Sequence, residues 1–131
     1  MPESVTGTSI EPIFNVDGLF KFMGSDEKGR AIIGKIVHDA LVAGREPVRQ
    51  ACDAARSGQY DEAARVLHGL RGTVGNLGAK RFVSAALALE LAMAEQRQND
   101  VPVLLPAIEH EFDLVMESGN NWLKQYGMPP V

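Results

Sequence analysis

Cysteine, aromatic rings, long apolar runs and excess positive charge are all scarce in this sequence. Cys52 is the one cysteine among 131 residues. No intrachain disulfide can form, and a disulfide-stapled secreted mini-protein is excluded. With His38, His68 and His110 as its three histidines, the chain has a thin supply of soft metal ligands. No apolar run approaches the ~20 residues that a membrane-spanning helix needs. The first residues, MPESVTGTSIEP, lack the basic and apolar regions of a signal peptide. Thirteen Lys and Arg against 17 Asp and Glu leave a formal charge of −4, which argues against nucleic acid as a partner. What is present is 45% apolar and 23% charged, with 6% aromatic residues. That suits one domain able to bury roughly two thirds of its unfolded surface. A cytoplasmic protein without direct membrane contact is expected.

The apolar residues recur with helical period, and no useful stretch alternates with period two. Residues 1–12 offer little to bury and read as a flexible tail or linker remnant, leaving 13–127 as the folded unit. Asn15 caps a short helix carrying Val16, Leu19, Phe20 and Met23, which Gly24 ends. Ser25, followed by Asp26 and Glu27, starts a long second helix interrupted at Gly44 and Pro47, expected as one bent helix. The third runs from about Tyr60 to Leu77, on the seam Ala63, Leu67, Leu70, Val74 and Leu77. The fourth, from about Ala79 to Gln98, has the broadest apolar face, with Val83, Leu87 and Leu91 added to its stripe, and is expected to be the most buried. Pro102 opens the last helix, which reaches about Tyr126, and Pro106 is expected to delay its regular start. Short turns between these segments predict an all-α fold, an antiparallel four-helix bundle with a short N-terminal capping helix.

On a helix advancing about 100° per residue, His68 lies roughly 130° from the centre of the third helix's seam, on the solvent side. Arg71, Gly72 and Gly75 stand at i+3, i+4 and i+7 from it, and Gly69 adds a bare position beside them. An interior glycine costs ~0.8–1 kcal/mol relative to alanine, so three together cost on the order of 3 kcal/mol. Access repays such a loss: the imidazole stands clear, and a partner's backbone can approach closely. Arg71 places a cation within reach of an anion carried on the ring. His38 and His110 also fall opposite their apolar stripes, without a clearing of glycines. Glu109-His110-Glu111 lacks the Glu-x-x-His spacing of a bundle metal site, and Cys52 lies on an apolar stripe as an inert thiol.

The stretch Ala64-Arg65-Val66-Leu67-His68-Gly69-Leu70-Arg71-Gly72, followed by Gly75-Asn76-Leu77-Gly78-Ala79, resembles the signature of histidine-containing phosphotransfer (HPt) domains. That signature reads roughly His-x-Leu-Lys-Gly and then Leu-Gly-Ala, and the likeness extends to Leu89-Glu90. His68 matches the phosphorylated histidine, and Gly72 the glycine that leaves room for a receiver domain. Arg71 stands where the family usually has Lys, Gly69 replaces a small polar residue, and Gln59 stands where Asp often caps the helix. The candidate residues for phosphate-side and partner contact are Arg71, Gly72, Gly75, Gly69, Arg65 and Ala64.

The resemblance implies a phosphocarrier in a two-component phosphorelay. Nε2 of a neutral imidazole would take a phosphoryl group from a receiver-domain aspartate and pass it to another receiver. Partners would be receiver domains of response regulators or of a hybrid sensor kinase, at whose cytoplasmic end the chain would sit if it is part of one. No cofactor is expected on this chain, Mg²⁺ being supplied by the receiver. No Gly-rich nucleotide loop is present, so no ATP-dependent kinase activity is expected. The alternative is a phosphate-silent helical adaptor that docks a receiver or kinase domain.

Overall fold

The computed structural model describes residues 11–131, so the tail expected over 1–12 lies almost wholly outside the described residues. At its edge, the Pro12 carbonyl accepts from the Arg81 amide at 3.2 Å, and the Glu11 carboxylate accepts from the Ser84 hydroxyl at 3.1 Å. Five α-helices follow: α1 (Asp17–Met23), α2 (Glu27–Arg56), α3 (Tyr60–Thr73), α4 (Lys80–Ala94) and α5 (Val101–Gln125), with a 3₁₀ turn at Gly75–Leu77. The described residues contain no strand. Helix α2 packs on α3 and α5, and α4 on the same two, so four helices close around one core. Contacts between α2 and α5 fall in reversed order: Leu41 lies against Gly119, and Arg56 reaches Glu109. Neighbours running in opposite directions require that order.

Local chemistry accounts for the first helix boundaries. The Asn15 side chain accepts from the Asp17 amide at 2.9 Å, and Gly24 ends α1. The cap of α2 is Asp26 rather than Ser25: its carboxylate accepts from the Gly29 amide at 2.8 Å and also suits the positive end of the helix. Helix α2 is continuous through Pro47. The carbonyl deprived of its donor there belongs to Ala43, an exposed residue that water can serve. Pro106 likewise lies inside α5 and does not delay its start. Its missing donor would have met the carbonyl of Pro102, exposed in the first turn where prolines are tolerated.

Three further expectations are corrected. Helix α3 stops at Thr73, four residues before Leu77, and the chain tightens into the 3₁₀ turn before Gly78 adopts φ +67°. A Cβ at Gly78 would lie 2.8 Å from the Asn15 carbonyl carbon, and the Asn15 amide donates to the Leu77 carbonyl at 2.8 Å. That crossing needs the left-handed turn, so the helix gives way to it. Helix α4 ends at Ala94 rather than near Gln98, and Gln96 takes positive φ in the turn beyond it. The apolar face of α4 is also narrower than expected. Phe82, Ala86 and Leu89 are fully buried, Val83 is half-buried, but Leu87 and Leu91 are 45% and 52% exposed.

At one end, α1 covers the bundle through an aromatic cluster in which Phe20 and Trp122 lie 6.5 Å apart and Trp122 and Tyr126 4.5 Å apart. In the interior, a Cβ on Gly44 would stand 2.9 Å from the Phe112 ring, which marks a close approach of α2 and α5. The thiol of Cys52 is buried, and that burial pushes its pKa up to about 11.

Candidate functional site

Helix α3 sets out the site. Asp61 and Glu62 in its first turn and Arg71 in its last complement the helix dipole. Ala63, Val66, Leu67 and Leu70 bury its inner face, so the register leaves His68, Gly69 and Gly72 exposed. A Cβ added at Gly69 or Gly72 would meet nothing within 4 Å. Neither glycine is there to let helices pack, and the outer strip of α3 beside His68 is bare. Gly75 differs. It stands in the 3₁₀ turn, is half-buried, and a Cβ there would touch Val83 at 3.4 Å. The bare strip therefore rests on two helical glycines, with an intrinsic cost of about 2 kcal/mol rather than 3. Ala64 is half-buried against the core. Arg65 is exposed, one turn before His68, and its guanidinium donates to the Glu62 carboxylate at 2.8 Å.

Arg71 makes three side-chain hydrogen bonds in the site. Its Nε donates to Oε2 of Glu90 at 2.7 Å and its Nη2 to Oε1 at 3.1 Å, a bidentate pair bridging α3 and α4. The same Nη2 donates to Nδ1 of His68 at 2.9 Å. The hydrogen bonds to Glu90 raise the Arg71 pKa further above its ordinary value. Arg71 is therefore no free cation waiting for phosphate: its charge is balanced by Glu90, and one of its hydrogens rests on the imidazole. Nε2, the other ring nitrogen, is the one left for a reacting group.

Sequence reasoning identified Leu89-Glu90 only through the family likeness and placed Leu87 and Leu91 in the core. The stripe of Phe82, Ala86, Leu89 and Met93 holds the missing signal. On a 100° wheel, Leu87 and Leu91 fall about 130° and 170° from its centre, on the outer side, while Glu90 falls about 70° away, at the boundary. The two leucines form an exposed apolar pair at i, i+4 that flanks the ion pair beside His68.

The remaining candidates stay apart from this constellation. His38 is half-buried rather than exposed and lies 3.4 Å from Asp39, and His110 is exposed on α5. Neither has an arginine bonded to its ring. Among the described residues, no group of three or more His, Cys, Asp and Glu side chains could hold a metal ion, and no helix is long and apolar enough to cross a membrane.

Comparison with curated proteins and with solved structures gave no match. A family model does match: that of the Hpt domain, over residues 35–118, from the third turn of α2 to the last turns of α5. The matched span takes in His68, Arg71, Gly72 and Glu90 and covers more than half of the chain. With its helical bundle and a match over that span, this chain belongs to the Hpt domain family.

Proposed function

We propose that this chain carries a phosphoryl group on Nε2 of His68, accepting it from the aspartyl phosphate of one receiver domain and delivering it to the aspartate of another. Membership of the Hpt domain family supports a phosphotransfer role in two-component signalling. The observation that carries the assignment to His68 is its place on α3: an exposed imidazole one turn from Gly72, on a strip that no other described residue obstructs. In the forward step the Nε2 lone pair forms a bond to phosphorus. The bond from phosphorus to the aspartyl oxygen breaks, its electron pair returns to the receiver carboxylate, and the ring sheds its Nδ1 proton to solvent. Such a transfer depends on position and on charge stabilisation more than on covalent machinery.

Residues 13–127 form the working unit of this proposal. Gly69 and Gly72 admit the partner's backbone, Gly75 and Ala64 shape the edges of the approach, Arg71 holds Nδ1 of the ring, and Arg65 borders the approach one turn before His68. Leu87 and Leu91 supply apolar area that a receiver would cover. The test is incubation of the chain with a phosphorylated receiver domain, with acid-labile, base-stable label as the readout. Wild type takes up label and His68→Gln does not. Label retained by His68→Gln would overturn the assignment to this residue, and receiver binding without any labelling would make the chain a phosphate-silent adaptor.

A further inference from the structure

A guanidinium nitrogen has no lone pair to offer, so the 2.9 Å bond between Arg71 and Nδ1 of His68 is a donation that Nδ1 must accept. A neutral imidazole that accepts at Nδ1 carries its hydrogen on Nε2. Nε2 then has no lone pair with which to attack phosphorus. Once phosphorus occupies Nε2, however, the free lone pair of the neutral ring is at Nδ1, where the Arg71 hydrogen already lies. The hydrogen-bonded arrangement suits the phosphorylated ring better than the attacking one.

Glu90 determines where that hydrogen points. Both hydrogens of Arg71 Nη2 are committed, one to Oε1 of Glu90 at 3.1 Å and one to His68, while Nε is bound to Oε2 at 2.7 Å. The Arg71 and Glu90 side chains are 25% and 17% exposed, sheltered by α3 and α4. Leu89, beside Glu90, is fully buried and anchors that stretch of α4. Arg65, one turn before His68 on α3, is bound to Glu62.

We propose that Glu90 is a positioning residue: through Arg71 it keeps Nδ1 of His68 in its accepting state and so makes the phosphorylated histidine long-lived. The inference rests on His68 being the phosphoryl carrier. Hydrolysis of the phosphohistidine forms a bond from water oxygen to phosphorus and breaks the P–Nε2 bond, whose electron pair goes to Nε2. The water proton is lost to solvent, leaving inorganic phosphate and the ring. The ring leaves as neutral imidazole if Nδ1 has first been protonated, and as the far more basic imidazolate if it has not. The Arg71 guanidinium competes with the proton for that lone pair. Loading requires the reverse: Arg71 lets go, and Nδ1 takes up the hydrogen that Nε2 gives up.

Two readouts on the full chain test this. Nitrogen-15 NMR of the unphosphorylated protein, above the titration range of the imidazole, reads the tautomer directly. Wild type shows the Nε2–H form of His68, and Glu90→Gln shows a larger share of the Nδ1–H form. The chain is next loaded with phosphoramidate, whose P–N bond to ammonia breaks as P–Nε2 forms, and decay of the phosphohistidine is followed near neutral pH. The lifetime falls roughly threefold to tenfold in Glu90→Gln, as loss of one ordinary hydrogen bond implies. Arg71→Met shortens it to the same extent, and the double variant no further, because Glu90 acts through Arg71. An Nδ1–H wild type, or a tautomer and lifetime indifferent to Glu90→Gln, overturns the inference. A wild-type chain that neither phosphoramidate nor a phosphorylated receiver can load, with the tautomer still responding to Glu90→Gln, overturns the carrier reading instead.

Discussion

Substitution of Gly72 separates what the fold wants from what transfer wants. Nothing lies within 4 Å of a Cβ at this position, and the residue is helical, next to last in α3, with the 3₁₀ turn continuing beyond. Gly72→Gln replaces a poor helix former with a good one at no steric cost inside the molecule. The full propensity difference is ~0.8–1 kcal/mol, somewhat reduced in a last turn, so stability should rise by about 0.5–1 kcal/mol. For a chain of this size that is a rise in Tm of roughly 2–5 °C. The same side chain stands one helical turn from His68, in the path of a docking receiver. An overpacked contact costs about 1–3 kcal/mol, so transfer from a phosphorylated receiver should slow by about fivefold to a hundredfold. Thermal denaturation and a quenched transfer time course on one preparation give both numbers. Gly69→Ala, interior to α3 and equally open, provides the stability control at about 1 kcal/mol. A Gly72→Gln protein that is more stable and transfers at the wild-type rate would refute the reasoning, because the bare strip would then have no purpose in access.

Three further outcomes follow from the same structure. Gly78→Ala meets both a left-handed backbone and the Asn15 main chain, and should lose about 2–4 kcal/mol in urea denaturation. Leu91→Ser, at a position 52% exposed, should change stability by less than about 0.5 kcal/mol while weakening receiver binding by roughly 1–2 kcal/mol in titration calorimetry. The Cys52 thiol is raised from 9.0 to about 11 by burial, so the folded state holds its proton more tightly than the unfolded one. Its contribution to stability is complete below pH 9 and is lost as pH rises through about 11, a slope that Cys52→Ala should remove from the pH dependence of unfolding.

Helical period carried the sequence reading far. The seam of α3 is buried where the wheel places it, at Ala63, Leu67, Leu70, Val74 and Leu77, so the helical fold and the outward aspect of His68 were legible from the chain alone. Helix ends were less so, because they answer to partners distant in sequence. The crossing of Asn15 over Gly78 cuts α3 short, and a carboxylate one residue beyond Ser25 takes its capping role. Pro106 misled in the other direction: the carbonyl it orphans belongs to an exposed residue, so it does not delay α5, while α2 runs through Pro47 as one helix, as expected. The site was half legible. His68, Arg71 and Gly72 could be placed on one strip by arithmetic. The tie from Arg71 to Glu90, 19 residues away, depends on how α3 and α4 pack, which no periodicity reports. Leu87 and Leu91 were misplaced by hydrophobicity alone, although their wheel positions lie outside the buried stripe.

Mapping the phosphoryl group on the intact chain tests the central claim most directly. After brief exposure to a phosphorylated receiver, phosphorus–proton correlation NMR and fragmentation at alkaline pH locate the label by atom and by residue. A single phosphoramidate on Nε2 of His68 is expected, with His38 and His110 unmodified. Label on either of those rings, on a hydroxyl or carboxylate side chain, or on Nδ1 of His68 would contradict it.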